Sequence, residues 1–230
     1  MTGFWTLFSW LNEFGSDLIA VVLCGLMIAG YYYVLARRTE RDPHYSIIAV
    51  NALARRLWVN NVMANPGKDV MAVQTLRNFI MAGIMMASTA SLLIIGTLTL
   101  SGQAENITRS WHVLGLYGSH SPGLWIVKVM CLLADFLFAF FAYAMSIRLA
   151  NQVLFMLNVP IKDQEEHPIL SPENVAARLN QAGQMVAIGM RAFFFAIPLV
   201  FWLFGPVFLF AATVGLVAAL NYIDRHQSGL

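Results

Sequence analysis

The stretch from Gly123 to Asn158 constrains this chain more than any other. Its apolar run, through Val-Met-Cys-Leu-Leu-Ala at 129–134 and Phe-Leu-Phe-Ala-Phe-Phe at 136–141, is long enough to cross a bilayer as one helix. Yet it carries Lys128 near one end, Asp135 near the middle and Arg148 near the other. Charge at bilayer depth is costly and needs a partner or water.

The rest of the chain points to the same medium. Of 230 residues, 59% are hydrophobic and 11% charged, where a soluble domain carries about 25% charged residues. An integral membrane protein with short loops is the reading. A net charge of +2 argues against a nucleic-acid partner; the basic residues are placed for topology instead. Cys24 and Cys131 both fall in expected spans and read as small buried apolar side chains, with no disulfide and no metal motif. The N-terminus lacks a basic n-region and a small-residue cleavage site, so no removable signal peptide is expected.

Four spans are expected, at about 17–35, 79–100, 123–148 and 192–220. Before the first, Phe4, Trp5, Phe8, Trp10 and Phe14 mix aromatic rings with polar residues, as suits an interfacial segment. After it come Tyr31-Tyr32-Tyr33 and a long connection holding Arg37, Arg38, Arg41, Arg55, Arg56, Lys68 and Arg77. No Lys or Arg precedes the first span. Basic loops stay in the cytoplasm, so the N-terminus is expected outside, and four spans return the C-terminus outside, as in a bacterial inner membrane protein. Within the connection, 44–63 has helical periodicity. Ile47, Ile48, Val50, Leu53, Leu57, Trp58 and Met63 form an expected apolar face with Asn51, Arg55 and Asn60 off it, an amphipathic helix for the inner membrane surface. Turn chemistry at Asn65-Pro66-Gly67 ends it, and a helix from near Lys68 runs unbroken into the second span. Gly83, Ala87 and Ser91 give that span a small-residue stripe, which lets a neighbour approach closely; Met81 and Met85 on it read as packing rather than a copper site. A second cytoplasmic connection reaches Ser171-Pro172, a helix start. Pro198 and Pro206 predict a kink or local break in the fourth span, and Ala211, Gly215 and Ala219 repeat the small-residue spacing.

Asp135 is the sharpest candidate. It lies about 18 Å along the third span from Gly123, near the bilayer midplane. Lys128, two turns earlier, projects from the same face, but the axial gap of about 10 Å exceeds a direct bond; it is expected to snorkel outward. The second span places Ser88, Thr89 and Ser91 at a depth similar to that of Asp135. Two readings stay open: Asp135 as interhelical glue satisfied by those hydroxyls, or Asp135 lining an ion or proton path with Ser88, Thr89 and Lys128. Toward the inner face, Arg77, Asn78, Arg148 and Arg191 are the polar candidates. The basic residues set topology and meet anionic lipid headgroups; an anionic-ligand site built with Lys68, Arg77 or Arg191 is the second reading. No catalytic or metal site survives. His112 and His120, with Ser119, Ser121 and Glu105, do not make a triad in their loop. No histidine lies in a span to bind a haem, and no cofactor is expected.

Three stretches, Arg56-Leu57-Trp58-Val59-Asn60-Asn61-Val62-Met63, Leu76-Arg77-Asn78-Phe79, and Asp135-Phe136-Leu137-Phe138-Ala139-Phe140-Phe141 with Ser146-Ile147-Arg148-Leu149, resemble an uncharacterised family of bacterial and plant multi-span membrane proteins known only as a domain of unknown function. The resemblance covers roughly residues 30 to 220 and implies a four-span bundle; it carries no activity over. The expected fold is therefore all-α: a polytopic membrane protein of four transmembrane helices plus cytoplasmic amphipathic helices. The expected partners are membrane lipids, further copies of the chain and a larger membrane complex. An oligomeric channel or transporter-like assembly for small ions is the leading reading. A non-catalytic accessory subunit comes second, and an enzyme last.

Overall fold

The computed structural model describes residues 2–41, 47–65, 67–102, 122–159 and 167–226, and the side chains of these except 2–14, 41, 48, 122 and 223–226. The aromatic side chains expected at the interface before residue 15, and the loop residues Glu105, His112, Ser119, His120 and Ser121, lie outside the described residues.

The fold is all-α. Among the described residues there are six α-helices and no strand: α1 (Thr2–Arg41), α2 (Ile47–Ala64), α3 (Asp69–Ser101), α4 (Pro122–Met156), α5 (Pro172–Phe204) and α6 (Pro206–His226), with a 3₁₀ turn at Pro168–Leu170. Among the described residues four helical stretches are long and apolar enough to cross a membrane: Gly15–Glu40, Asp69–Ser101, Gly123–Met156 and Pro172–Phe204. At 33 residues, α3 and α5 are each about 50 Å long, well beyond a hydrocarbon core of about 30 Å.

Local chemistry explains the boundaries. Asp69 opens α3, where a negative charge suits the helix dipole. Gly67 takes φ +99° just before it. Ser171 is extended and precedes Pro172 at the first helical position, as its sequence predicts. Its hydroxyl receives the Asn174 side-chain amide at 3.1 Å, and its carbonyl accepts from Val175 N–H at 3.0 Å.

Three expectations are corrected. The interfacial segment and the first span form one unbroken helix of 40 residues. The span expected at 192–220 is two helices: Pro198 stays inside α5, and the chain breaks at Gly205, which takes φ +139°. The expected apolar face of α2 is rotated. Val59, Val62 and Met63 are buried, whereas Val50, Leu53 and Leu57 are exposed and Arg55 turns towards α5.

The helices gather into two compact units, one formed by residues 1–42, 93–136 and 193–230 and the other by residues 43–92 and 137–192. The first packs Ala20 and Cys24 of α1 against Leu199 and Trp202 of α5 and Leu209 of α6. Leu132 and Phe136 of α4 meet Ala196 and Phe193. Phe194, Ile197 and Phe201 of α5 line one groove with Phe208, Ala212 and Ala219 of α6. Residues eleven and fourteen positions either side of the Gly205 break can share a groove only if α6 folds back alongside α5. In the second unit, α2 closes over Ala72 and Leu76 of α3, Val153 and Leu157 at the end of α4, and Val175, Ala176 and Leu179 of α5. There α4 and α5 run antiparallel. Arg178 donates to Gln152 at 2.7 Å, Ser146 donates to the Ala182 carbonyl at 2.8 Å, and the Tyr143 ring lies against Gly189, where a Cβ would come within 2.7 Å of it. Gly83 does the same for α3, with Ile147 3.0 Å from where its Cβ would stand. The first small-residue stripe is thus spent on packing within the chain.

Candidate functional site

One face of α1 turns to protein. Among its described side chains Asp17, Ala20 and Cys24 are buried, spaced three and four apart as one helical stripe requires. The acid therefore sits on the stripe rather than at a solvated helix end. On α4 the buried positions Leu124, Trp125, Lys128, Val129, Leu132 and Phe136 form the equivalent stripe, and it carries the lysine inward. From α5, Trp202 is buried as well.

These three side chains converge in the first unit. Lys128 Nζ lies 2.9 Å from Asp17 Oδ1, with both side chains almost wholly removed from solvent, at 5% and 2% exposure. Trp202 Nε1 donates to the same oxygen at 2.8 Å. The ammonium also stands 5.4 Å from the centre of the Trp202 ring, within range of its negative face. One carboxylate oxygen thus takes two donors while the other, Asp17 Oδ2, is buried without a hydrogen-bond partner. The snorkelling expected of Lys128 is overturned. A buried acid on another helix, with an indole beside it, offers the ammonium a better partner than distant water does. Sequence reasoning treated Asp17 as a span boundary and passed over Trp202. The signal available for Asp17 was its three- and four-residue spacing to Ala20 and Cys24; for Trp202 there was none.

Asp135 belongs to the same unit, seven residues beyond Lys128 on α4. It is half-buried, and its Oδ2 is buried with no hydrogen-bond partner. The hydroxyls expected to satisfy it are turned elsewhere: Ser88 and Thr89 are exposed, and Thr89 Oγ1 donates to the Met85 carbonyl of its own helix at 2.9 Å. Met81 and Met85 are exposed too, so they do not pack inside the chain. Among the inner-face candidates, which belong to the other unit, Arg77, Asn78 and Arg148 are exposed and Arg191 is half-buried. Groups of three or more His, Cys, Asp or Glu able to hold a metal ion are absent among the described residues.

The arrangement is Lys128 and Asp135 on α4 with Asp17 of α1 against the lysine, and each aspartate has one buried carboxylate oxygen without a hydrogen-bond partner. Such oxygens accept a proton, a cation or a water. The family model described as a protein of unknown function, DUF599, matches residues 19–228. The chain belongs to the DUF599 family. Lys128, Asp135 and Trp202 all fall inside the matched region of DUF599, while Asp17 lies two residues before it. Neither curated proteins nor solved structures give a match.

Proposed function

We propose that this DUF599 protein moves protons or small monovalent cations across a bacterial inner membrane, with Asp135 of α4 as the exchanging group and the Lys128–Asp17 pair, between α4 and α1, as a charged gatepost. The observation that carries the reading is the Asp135 Oδ2 atom, buried and unpartnered in a helix apolar enough to cross the membrane. Acids held at that depth mark ion or proton paths by default, and here a second buried acid and a lysine share the unit. The reading is non-enzymatic. It includes self-association through α6, whose Ala211, Gly215 and Ala219 stripe is exposed, as close helix approach between copies requires. The N-terminus is proposed outside, from the basic residues that follow α1.

Ion flux in proteoliposomes tests this, with the oligomeric state read on the same samples. Asp135→Asn is expected to abolish or re-select flux while the assembly persists. An accessory-subunit role, in which the Asp17–Lys128–Trp202 contact ties three helices together, predicts the reverse: no flux from well-assembled intact protein, and a weakened assembly in the variant.

A further inference from the structure

A second polar feature, in the other unit and independent of the transport reading, is built around Arg55 on α2. Its Nε donates to Asn180 Oδ1 on α5 at 2.8 Å. Asn180 is itself held by its amide, which donates to the Ala52 carbonyl at 3.3 Å. The guanidinium lies flat on Gly183. A Cβ there would come within 2.7 Å of Cζ and Nη1 and 3.0 Å of Nη2, so a larger residue at this position would push the guanidinium aside. Arg55 is half-buried, and burial lowers its pKa from the ordinary value without a compensating acid. The acid on the facing part of α5, Glu173, is bound by Arg56 at 3.0 Å. Among the described residues no group of the chain takes Nη1 or Nη2. A cation desolvated beside a neutral partner is a poor helix staple, because an amide pair would hold the helices at less cost. It is a good receptor, because an oriented guanidinium presents two parallel donors that match two oxygens of a phosphate.

We propose that Arg55, oriented by Asn180 and seated on Gly183, binds a phosphate group, either that of an anionic lipid headgroup or free phosphate. The α2 helix is not among the described stretches long and apolar enough to cross a membrane. Binding of a short-chain phosphatidic acid and, separately, of inorganic phosphate to the full-length protein in detergent tests this, with thermal midpoints recorded for every variant. The intact protein is expected to bind the lipid or both probes: the lipid alone identifies a headgroup, and both identify the phosphate itself as sufficient. Arg55→Gln is expected to weaken binding about tenfold, the worth of a charged hydrogen bond. Gly183→Ala, which keeps the cation and lifts it from its seat, is expected to weaken binding as well. Arg56→Gln, on an exposed salt bridge, is expected to leave it unchanged. Failure of the intact protein to bind either probe overturns the proposal. So does undiminished binding by a folded Arg55→Gln or Gly183→Ala protein, or an equal loss in Arg56→Gln.

Discussion

Lys128 and Asp17 show what a single residue's surroundings decide. Either charge alone at that depth would be costly; together, with the Trp202 indole on the shared oxygen, they are tolerated. Removing one partner strands the other. Asp17→Asn should therefore lower stability by about 3–5 kcal/mol, seen as a fall in the thermal midpoint in detergent. Adding Lys128→Met to Asp17→Asn should restore much of the loss, since the double variant buries no unpaired charge; additive losses would show that the pair is not coupled. Asp135 responds differently, because its orphan oxygen has no charged partner to strand: its replacement by Asn should change flux more than stability. Spacing along the chain places Lys128 and Asp135 two turns apart on α4. It could not supply the Asp17 partner, because a residue on another helix has no fixed sequence distance.

At the scale of the element, what the sequence announces by period and punctuation is recovered. The apolar runs, the Ser171-Pro172 start and the unbroken entry of α3 are legible because each depends on neighbours within a few residues. Where the rotation of a helix is set by others, the reading fails. The face of α2 was chosen by counting apolar residues, but its buried side is fixed by Leu76, Val153 and Val175, which belong to three other helices. The two prolines of the expected fourth span show the same division. Pro198 is absorbed inside α5, while Pro206 follows Gly205, whose φ of +139° only glycine adopts freely. Proline at the first position of α6 costs nothing there, and Leu209 N–H accepts the arrangement by donating to the Gly205 carbonyl at 3.2 Å. Gly205→Ala should cost about 1–3 kcal/mol in strain, again read as a lowered thermal midpoint. A neutral result would mean that the turn can be made in another conformation.

Across the whole molecule, the all-α class and the presence of four long apolar helices among the described residues follow from composition and run length, though not the bounds of the fourth. The number of passages does not, because it turns on one residue. With α6 folded back beside α5, its 21 residues extend about 31 Å towards the side from which α5 came. The C-terminus is then expected opposite the N-terminus, on the cytoplasmic side, rather than outside as four spans would leave it. Reporter fusions check this: a C-terminal alkaline phosphatase should be inactive and a C-terminal fluorescent protein bright, and the opposite pair of signals would return the chain to an even count. The return at Gly205 also has a genetic meaning. A chain with an odd number of passages, copied and joined end to end, gives two halves that face opposite leaflets, which is the ancestry of inverted-repeat carriers. A single glycine thus decides whether tandem duplication of this chain would yield a mirror-facing pair or merely two of the same kind side by side.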